Sequence, residues 1–421
     1  MIQLNFLGAM NEVGRSGLLV DTGVEKIVLD YGTKVREVPQ MFPIPVKCKP
    51  DAVFLSHSHL DHSGALALFA AKNNGCKIYA IDVTKPITEM LLLDSVKIGH
   101  EEGVELPFTI KDVKETVGNF VFANYRKPIK LRKTVVTMYD AGHIPGSAMV
   151  HMNFGKSSLL YTGDFKTSGT RLLKGADEKI PGTNILVTES TYAQRDHPDR
   201  NEQEKELVKT VRETLSVDGV TIVAGFAVGR IDEMLLVLDH YGIDYPVFVD
   251  GMAKKALTII NKHHKLLREP DELDTVLKKV KYVKSENMRK KIIRNPCVIL
   301  TTSGMLSGGP IVSYLKKLFD NRDASLILTS YQVEGTPGRA LLETGRFTTK
   351  EVDLKLRMLV KKLDFSSHLD RKDLFSFVKK RNPEKIFCVH GDDTVTFANE
   401  LKDQGFDAVA PVTENRVFNI E

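Results

Sequence analysis

Short apolar runs separated by glycine-bearing turns open the chain. Ile2 to Leu7, Gly17 to Val20 and Lys26 to Leu29 each read as a strand, and Ala52-Val53-Phe54-Leu55 reads as a buried one. Gly64 to Ala71 has the composition of a helix, and Lys77 to Ala80 that of a strand. Thr84 is the predicted cap of a further helix with Pro86 in its first turn. Strands follow at Val135 to Tyr139, Ser158 to Tyr161 and Ile185 to Thr188.

After Tyr192 the texture changes. A charged amphipathic helix covers residues 202–217, and Val220 to Ala224 is a strand. Gly225 to Arg230 opens a helix that runs through Tyr241. Val247 to Val249 is a strand, and Gly251-Met252-Ala253 opens the next helix. Val298 to Thr301 leads into a glycine-rich turn, Ser303 to Pro310, and Ser325 to Thr329 is a further strand. Strands alternating with helices imply a parallel α/β domain, whose ligands bind at the carboxyl ends of its strands. The last stretch returns to the first pattern, with a strand at Arg357 to Leu363, a helix at Leu374 to Arg381 and a strand at Ile386 to Val389. The expected organisation is a discontinuous outer domain, 1–192 with 356–421, and an inserted domain, 193–355.

A length of 421 residues allows two or three domains. At 42% hydrophobic and 27% charged, the composition is that of a globular protein, and no apolar run is long enough to span a bilayer. The net charge of +5 is too small to imply nucleic acid by itself. Local basic runs are more suggestive: Lys254-Lys255, Lys262-His263-His264-Lys265, Lys278-Lys279-Val280-Lys281 and Arg289-Lys290-Lys291. Singly, each reads as a solvated helix face; together they would track a phosphate backbone. Cys48, Cys76, Cys297 and Cys388 are widely spaced, which points to a reducing cytoplasm and away from a cysteine-based zinc site.

The chemistry concentrates in Ser56-His57-Ser58-His59-Leu60-Asp61-His62. Three imidazoles and a carboxylate within seven positions suit zinc better than calcium or magnesium. The preceding strand and following helix put them in a tight loop. Other candidates lie at strand ends: Asp30, His143, Asp164, Glu189, His368 and His390. Each alone is as well read as turn chemistry.

Taken in order, these motifs resemble the β-CASP branch of the metallo-β-lactamase superfamily, the RNA-processing nucleases. The resemblance is nearest to archaeal homologues of the cleavage and polyadenylation specificity factor nuclease, with RNase J more distant. Asp30, His57-x-His59-x-Asp61-His62, His143 and Asp164 resemble the four superfamily motifs. Glu189 in Thr188 to Tyr192, His368 in Ser366 to Asp370, and His390 in Val389-His390-Gly391 resemble the three β-CASP motifs. DNA-repair members carry an apolar residue at the third of these, so His390 argues for RNA.

The resemblance implies an αββα metallo-β-lactamase sandwich with an inserted α/β β-CASP domain. It implies two zinc ions, one held by His57, His59 and His143, the other by Asp61, His62 and His390, with Asp164 bridging. Asp30 would support the metal loop, Asp61 would count among the catalytic groups, and His368 would be the general acid with Glu189 orienting it. A di-zinc-activated hydroxide would then hydrolyse phosphodiester bonds of single-stranded RNA, as a 5′-to-3′ exonuclease, an endonuclease or both. Arg230, Ser303, Ser307 and Arg339 are the candidate substrate contacts in the inserted domain. The family also admits a homodimer or a larger RNA-processing complex. A small-molecule hydrolase of the same fold and a non-catalytic scaffold are the competing readings.

Overall fold

The computed structural model describes residues 1–34 and 40–420. The chain divides into two compact units. The first comprises Met1–Gly169, Gly175–Asp196 and Ser367–Glu421, and the second Thr170–Lys174 and His197–Ser366.

Two seven-stranded sheets form the middle of the first unit. From edge to edge, the first runs Val417–Ile420, Ile2–Phe6, Gly17–Asp21, Lys26–Tyr31, Ala52–Phe54, Lys77–Ile81 and Phe120–Ala123. The second runs Ala408–Val409, Lys385–Val389, Ile185–Glu189, Ser158–Tyr161, Ala148–Asn153, Val135–Asp140 and Pro128–Lys130. Their inner faces meet through aromatic rings: Phe6 of the first sheet lies 5.2 Å from Phe387 of the second.

A helix layer covers each outer face. Leu66 and Phe69 of the helix Leu66–Lys72 join Val53 and Ile78 in one apolar cluster. On the other side, Leu374, Phe377 and Phe397 from the helices Arg371–Arg381 and Thr394–Asp403 join Leu160, Leu186 and Ile386. Strands buried on both faces favour apolar residues at successive positions, which is why the central strand Ile185–Glu189 opens on Ile185-Leu186-Val187 and turns polar only at its carboxyl end, Thr188-Glu189.

Parallel pairing gathers strand ends at one edge of this sandwich. Lys26–Tyr31 pairs in parallel with Ala52–Phe54. Ser158–Tyr161, Ile185–Glu189 and Lys385–Val389 are parallel neighbours. Their carboxyl ends carry the candidate ligands.

The second unit is built on a six-stranded sheet, ordered Lys281–Tyr282, Val247–Val249, Cys297–Thr301, Val220–Ala224, Ser325–Leu328 and Leu359–Lys362. Every pairing in it is parallel. A two-stranded ribbon, Arg346–Thr348 with Asp353–Lys355, falls in sequence between its strands Ser325–Leu328 and Leu359–Lys362.

Three sequence expectations change. Residues 356–366 were expected in the outer domain, yet Leu359–Lys362 is the parallel edge strand beside Ser325–Leu328, so the second unit extends to Ser366. Thr84 is not a cap: Val83 holds that position, and the Thr84 hydroxyl donates to the Gly146 carbonyl at 3.1 Å. The strand Ala148–Asn153 was not expected, since its methionines and His151 carry little strand signal. No helix among the described residues is long and apolar enough to cross a membrane.

One buried ion pair anchors the second unit. Asp250 is fully buried and accepts from Arg289 Nε at 2.7 Å, Arg289 Nη2 at 3.2 Å, the Tyr314 hydroxyl at 2.9 Å and the Gly251 amide at 2.7 Å. Arg289→Ala leaves that carboxylate short of its counter-charge and is expected to cost about 3 kcal/mol in urea unfolding. Lys205→Ala, which breaks the exposed pair with Glu202, is expected to leave the unfolding midpoint nearly unchanged, since solvent screens that pair. Equal effects from the two substitutions would contradict this assignment.

Candidate metal centre

The backbone sets the site before any side chain does. Asp30 and His390 both adopt left-handed φ, 58° and 51°, at the ends of their strands. That conformation is uncommon for residues with a Cβ. It turns each side chain out of the strand direction and towards the loop 56–62. Gly32 lies so close to this loop that an added Cβ would sit 1.7 Å from the Asp61 carbonyl oxygen and 2.5 Å from the His62 nitrogen. Only glycine fits there.

Asp30 holds the loop. Its carboxylate accepts from the Ser56 amide at 2.6 Å, the Ser56 hydroxyl at 2.6 Å and the Tyr161 hydroxyl at 2.8 Å. His62 Nδ1 lies 2.6 Å from the same carboxylate. Donating that proton fixes the tautomer that presents Nε2 as a lone pair. The other imidazoles follow the same logic: His57 Nδ1 faces the Ser56 hydroxyl at 3.0 Å, and His143 Nδ1 faces the Ser367 carbonyl at 2.9 Å.

The inward nitrogens converge on Asp164. His57 Nε2 and His143 Nε2 lie 3.5 and 3.7 Å from its Oδ2. His62 Nε2 and His390 Nδ1 lie 3.2 and 3.5 Å from its Oδ1. One oxygen of one carboxylate therefore faces each histidine group. His59 Nδ1 is 3.1 Å from His143 Nε2, and Asp61 Oδ2 is 3.4 Å from His390 Nε2. Two ligand sets result, His57, His59, His143 and Asp164, and Asp61, His62, Asp164 and His390.

These donors fit metal cations. His57 Nε2 and Asp164 Oδ1 are buried without a hydrogen-bond partner among the described residues. Orphaned polar atoms this deep are costly unless something pairs with them. Burial, reinforced by the neighbouring imidazoles, pushes the His57 and His143 pKa values well below the usual histidine range. Burial lowers His59 too, although Asp61 pulls it upward. These three rings are thus neutral at neutral pH, the form that binds metal. In the second set burial opposes charge on His62, but Asp164 and Asp30 on its two sides hold its pKa well above the usual value. Burial likewise opposes the Asp164 carboxylate, and His390, His62 and His368 outweigh it and depress its pKa. A cation would take the place of those protons.

Glu189 and His368 stand beside the ligands. His368 Nδ1 is 2.8 Å from Glu189 Oε2, and Glu189 Oε1 accepts from the Phe165 amide at 2.9 Å. Burial would lower the His368 pKa, but Glu189 and then Asp164 raise it above the usual value. The His368 ring is also 4.6 Å from that of His143.

The expected substrate contacts belong to the second unit. Arg230 is 8% exposed and its Nη1 donates to the Phe365 carbonyl, so its guanidinium braces its own unit. Arg339 is half-buried and paired with Glu343. Ser303 Oγ is buried without a hydrogen-bond partner among the described residues, and Ser307 is exposed. Much of the basic runs is committed internally: Lys278 pairs with Asp274, Lys279 with Asp239, and Arg289 with Asp250. Lys255, Lys290 and Lys291 are exposed.

The polar residues that sequence reasoning passed over are Tyr161, Ser56 and Thr191. A hydroxyl's role depends on what lies opposite it, and no spacing announces that.

Comparison with known proteins agrees with this geometry. The metallo-beta-lactamase superfamily domain matches residues 12–190. The Beta-Casp domain matches 231–341, and the Zn-dependent metallo-hydrolase RNA specificity domain 353–411. The chain is 36% identical over 421 residues to the probable RNase MJ4 of Methanocaldococcus jannaschii, covering 97% of this chain and 98% of that protein. It is 36% identical to the RNase aCSPSF2 of Saccharolobus solfataricus, covering 97% and 83%. To the transcription termination factor FttA of Methanocaldococcus jannaschii it is also 36% identical, covering 95% and 69%. A crystal structure of a protein of unknown function from Enterococcus faecalis V583 shares the fold, with a TM-score of 0.64 at 15% identity and 100% coverage of both chains. With ligand motifs, fold and relatives in accord, the chain belongs to the β-CASP family of the metallo-β-lactamase superfamily.

Proposed function

We propose that this protein is a zinc-dependent ribonuclease that hydrolyses phosphodiester bonds of single-stranded RNA. The observation that carries the reading is the Asp164 carboxylate, which turns one oxygen to each of two histidine groups. Two zinc ions fit there, one at His57, His59 and His143, the other at Asp61, His62 and His390, with Asp164 shared. Zinc bound in such a set acts as a Lewis acid and lowers the pKa of bound water to about 7. Two relatives named as RNases, and His390 at the third β-CASP position, favour RNA over DNA or a small ester. The four free cysteines agree with a reducing cytoplasm.

The chain's own residues supply the rest. His368 donates its Nδ1 proton to Glu189, which leaves Nε2 to deliver a proton to the departing 3′-oxygen. Glu189 favours the protonated ring, and the Phe165 amide keeps the carboxylate in place. Hydrolysis by water leaves a 5′-phosphate and a 3′-hydroxyl and does not need the RNA 2′-hydroxyl. In the second unit, Ser307, in its glycine-rich turn, and Arg339 are assigned to phosphate contacts, with Lys255, Lys290 and Lys291 as exposed charge, while Ser303, whose Oγ is buried, shapes the turn. Asp30 keeps the loop of ligands in position and makes no contact with substrate.

His368→Ala is expected to retain zinc and the thermal midpoint while turnover falls about 10²- to 10⁴-fold. Lost zinc would instead make His368 a structural residue. The function itself is tested by incubating zinc-loaded protein with a linear 5′-monophosphate RNA and a circular single-stranded RNA. Cleavage with 5′-phosphate products is expected. Consumption of the linear form alone would make the enzyme an exonuclease, and cutting of the circle would make it an endonuclease. Neither RNA touched by protein that holds its zinc would contradict the proposal.

A further inference from the structure

Thr191 stands between the two halves of the site. Its Oγ1 is 2.6 Å from Glu189 Oε2, 3.1 Å from His390 Nδ1 and 3.2 Å from the His390 carbonyl. A hydroxyl has one proton to donate and can also accept. The short contact to a carboxylate is the charge-assisted one, so the proton goes to Glu189. Oγ1 is then left to accept from His390 Nδ1. That nitrogen is also 3.5 Å from Asp164 Oδ1, but the nearer hydroxyl is the better-placed partner. Protonated at Nδ1, His390 keeps its lone pair on Nε2, on the side of Asp61.

We infer that Thr191 is a positioning residue that couples the metal ligand His390 to the proton donor His368 through a single hydroxyl. The chain of bonds runs from His390 Nδ1–H to Thr191 Oγ1, from Thr191 O–H to Glu189 Oε2, and from His368 Nδ1–H to that same oxygen. One carboxylate oxygen and one hydroxyl thereby fix the tautomers of both imidazoles. His390 then presents its Nε2 lone pair to a cation, and His368, held protonated on Nδ1 by Glu189, carries its deliverable proton on Nε2. The inference deepens the ribonuclease reading and rests on it.

The test compares Thr191→Val, which keeps the shape and removes the hydroxyl, with Thr191→Ser, which keeps the hydroxyl. Zinc affinity is measured by chelator competition, and kcat and KM on a 5′-labelled single-stranded RNA. Thr191→Val is expected to bind the more weakly held zinc about 10- to 100-fold less tightly. Its kcat should fall by a similar factor with KM little changed. Thr191→Ser should retain both. A Thr191→Val protein equal to wild type in zinc affinity and kcat overturns the inference. So does a Thr191→Ser protein that loses as much as Thr191→Val, since packing would then be the cause. Wild-type protein that binds zinc but cleaves no RNA defeats the ribonuclease reading instead, while the zinc competition still decides the Thr191–His390 bond.

Discussion

The site depends on one buried carboxylate. Asp164 is 2% exposed, and its two oxygens point at different groups of imidazoles. A carboxylate in that position is costly unless positive charge surrounds it, and the protein meets the cost with two clusters of donors rather than with lysine or arginine. Everything nearby serves that arrangement. Asp30, Ser56 and Tyr161 lock the loop, Gly32 lets it approach, and parallel strand ends deliver the ligands from both sheets.

The candidate ligands were legible because metal-binding chemistry restricts donors to a few residue types, here placed at strand ends. His57, His59, Asp61 and His62 could be read from their spacing alone. His143, Asp164 and His390 were readable only against a family pattern, because a lone histidine or aspartate at a turn has ordinary uses. The supports were not legible. Tyr161 and Thr191 act through hydroxyls that lie far along the chain from their partners, Asp30 and His390, and only the fold brings them together. The Ser56 contact with His57 is local, yet a serine beside a histidine carries no signal of its own.

The same contrast holds for the fold. Buried strands such as Val220–Ala224 and Ser158–Tyr161 announced themselves as apolar runs. Leu359–Lys362 did not reveal its sheet, because an edge strand with two lysines is half solvated and the sequence following it leads into the His368 motif. Charge was the least informative feature. Lys278, Lys279 and Arg289 look like a nucleic-acid surface in sequence, yet each has an acidic partner within its own unit. Arg230 likewise turns inward to a backbone carbonyl.

The most direct test of the central claim is the anomalous scattering of zinc in crystals of the loaded protein. The account predicts two peaks about 3.5–4 Å apart, one beside each oxygen of Asp164. One should lie among His57, His59 and His143, the other among Asp61, His62 and His390. A single peak, or zinc bound away from Asp164, would contradict it.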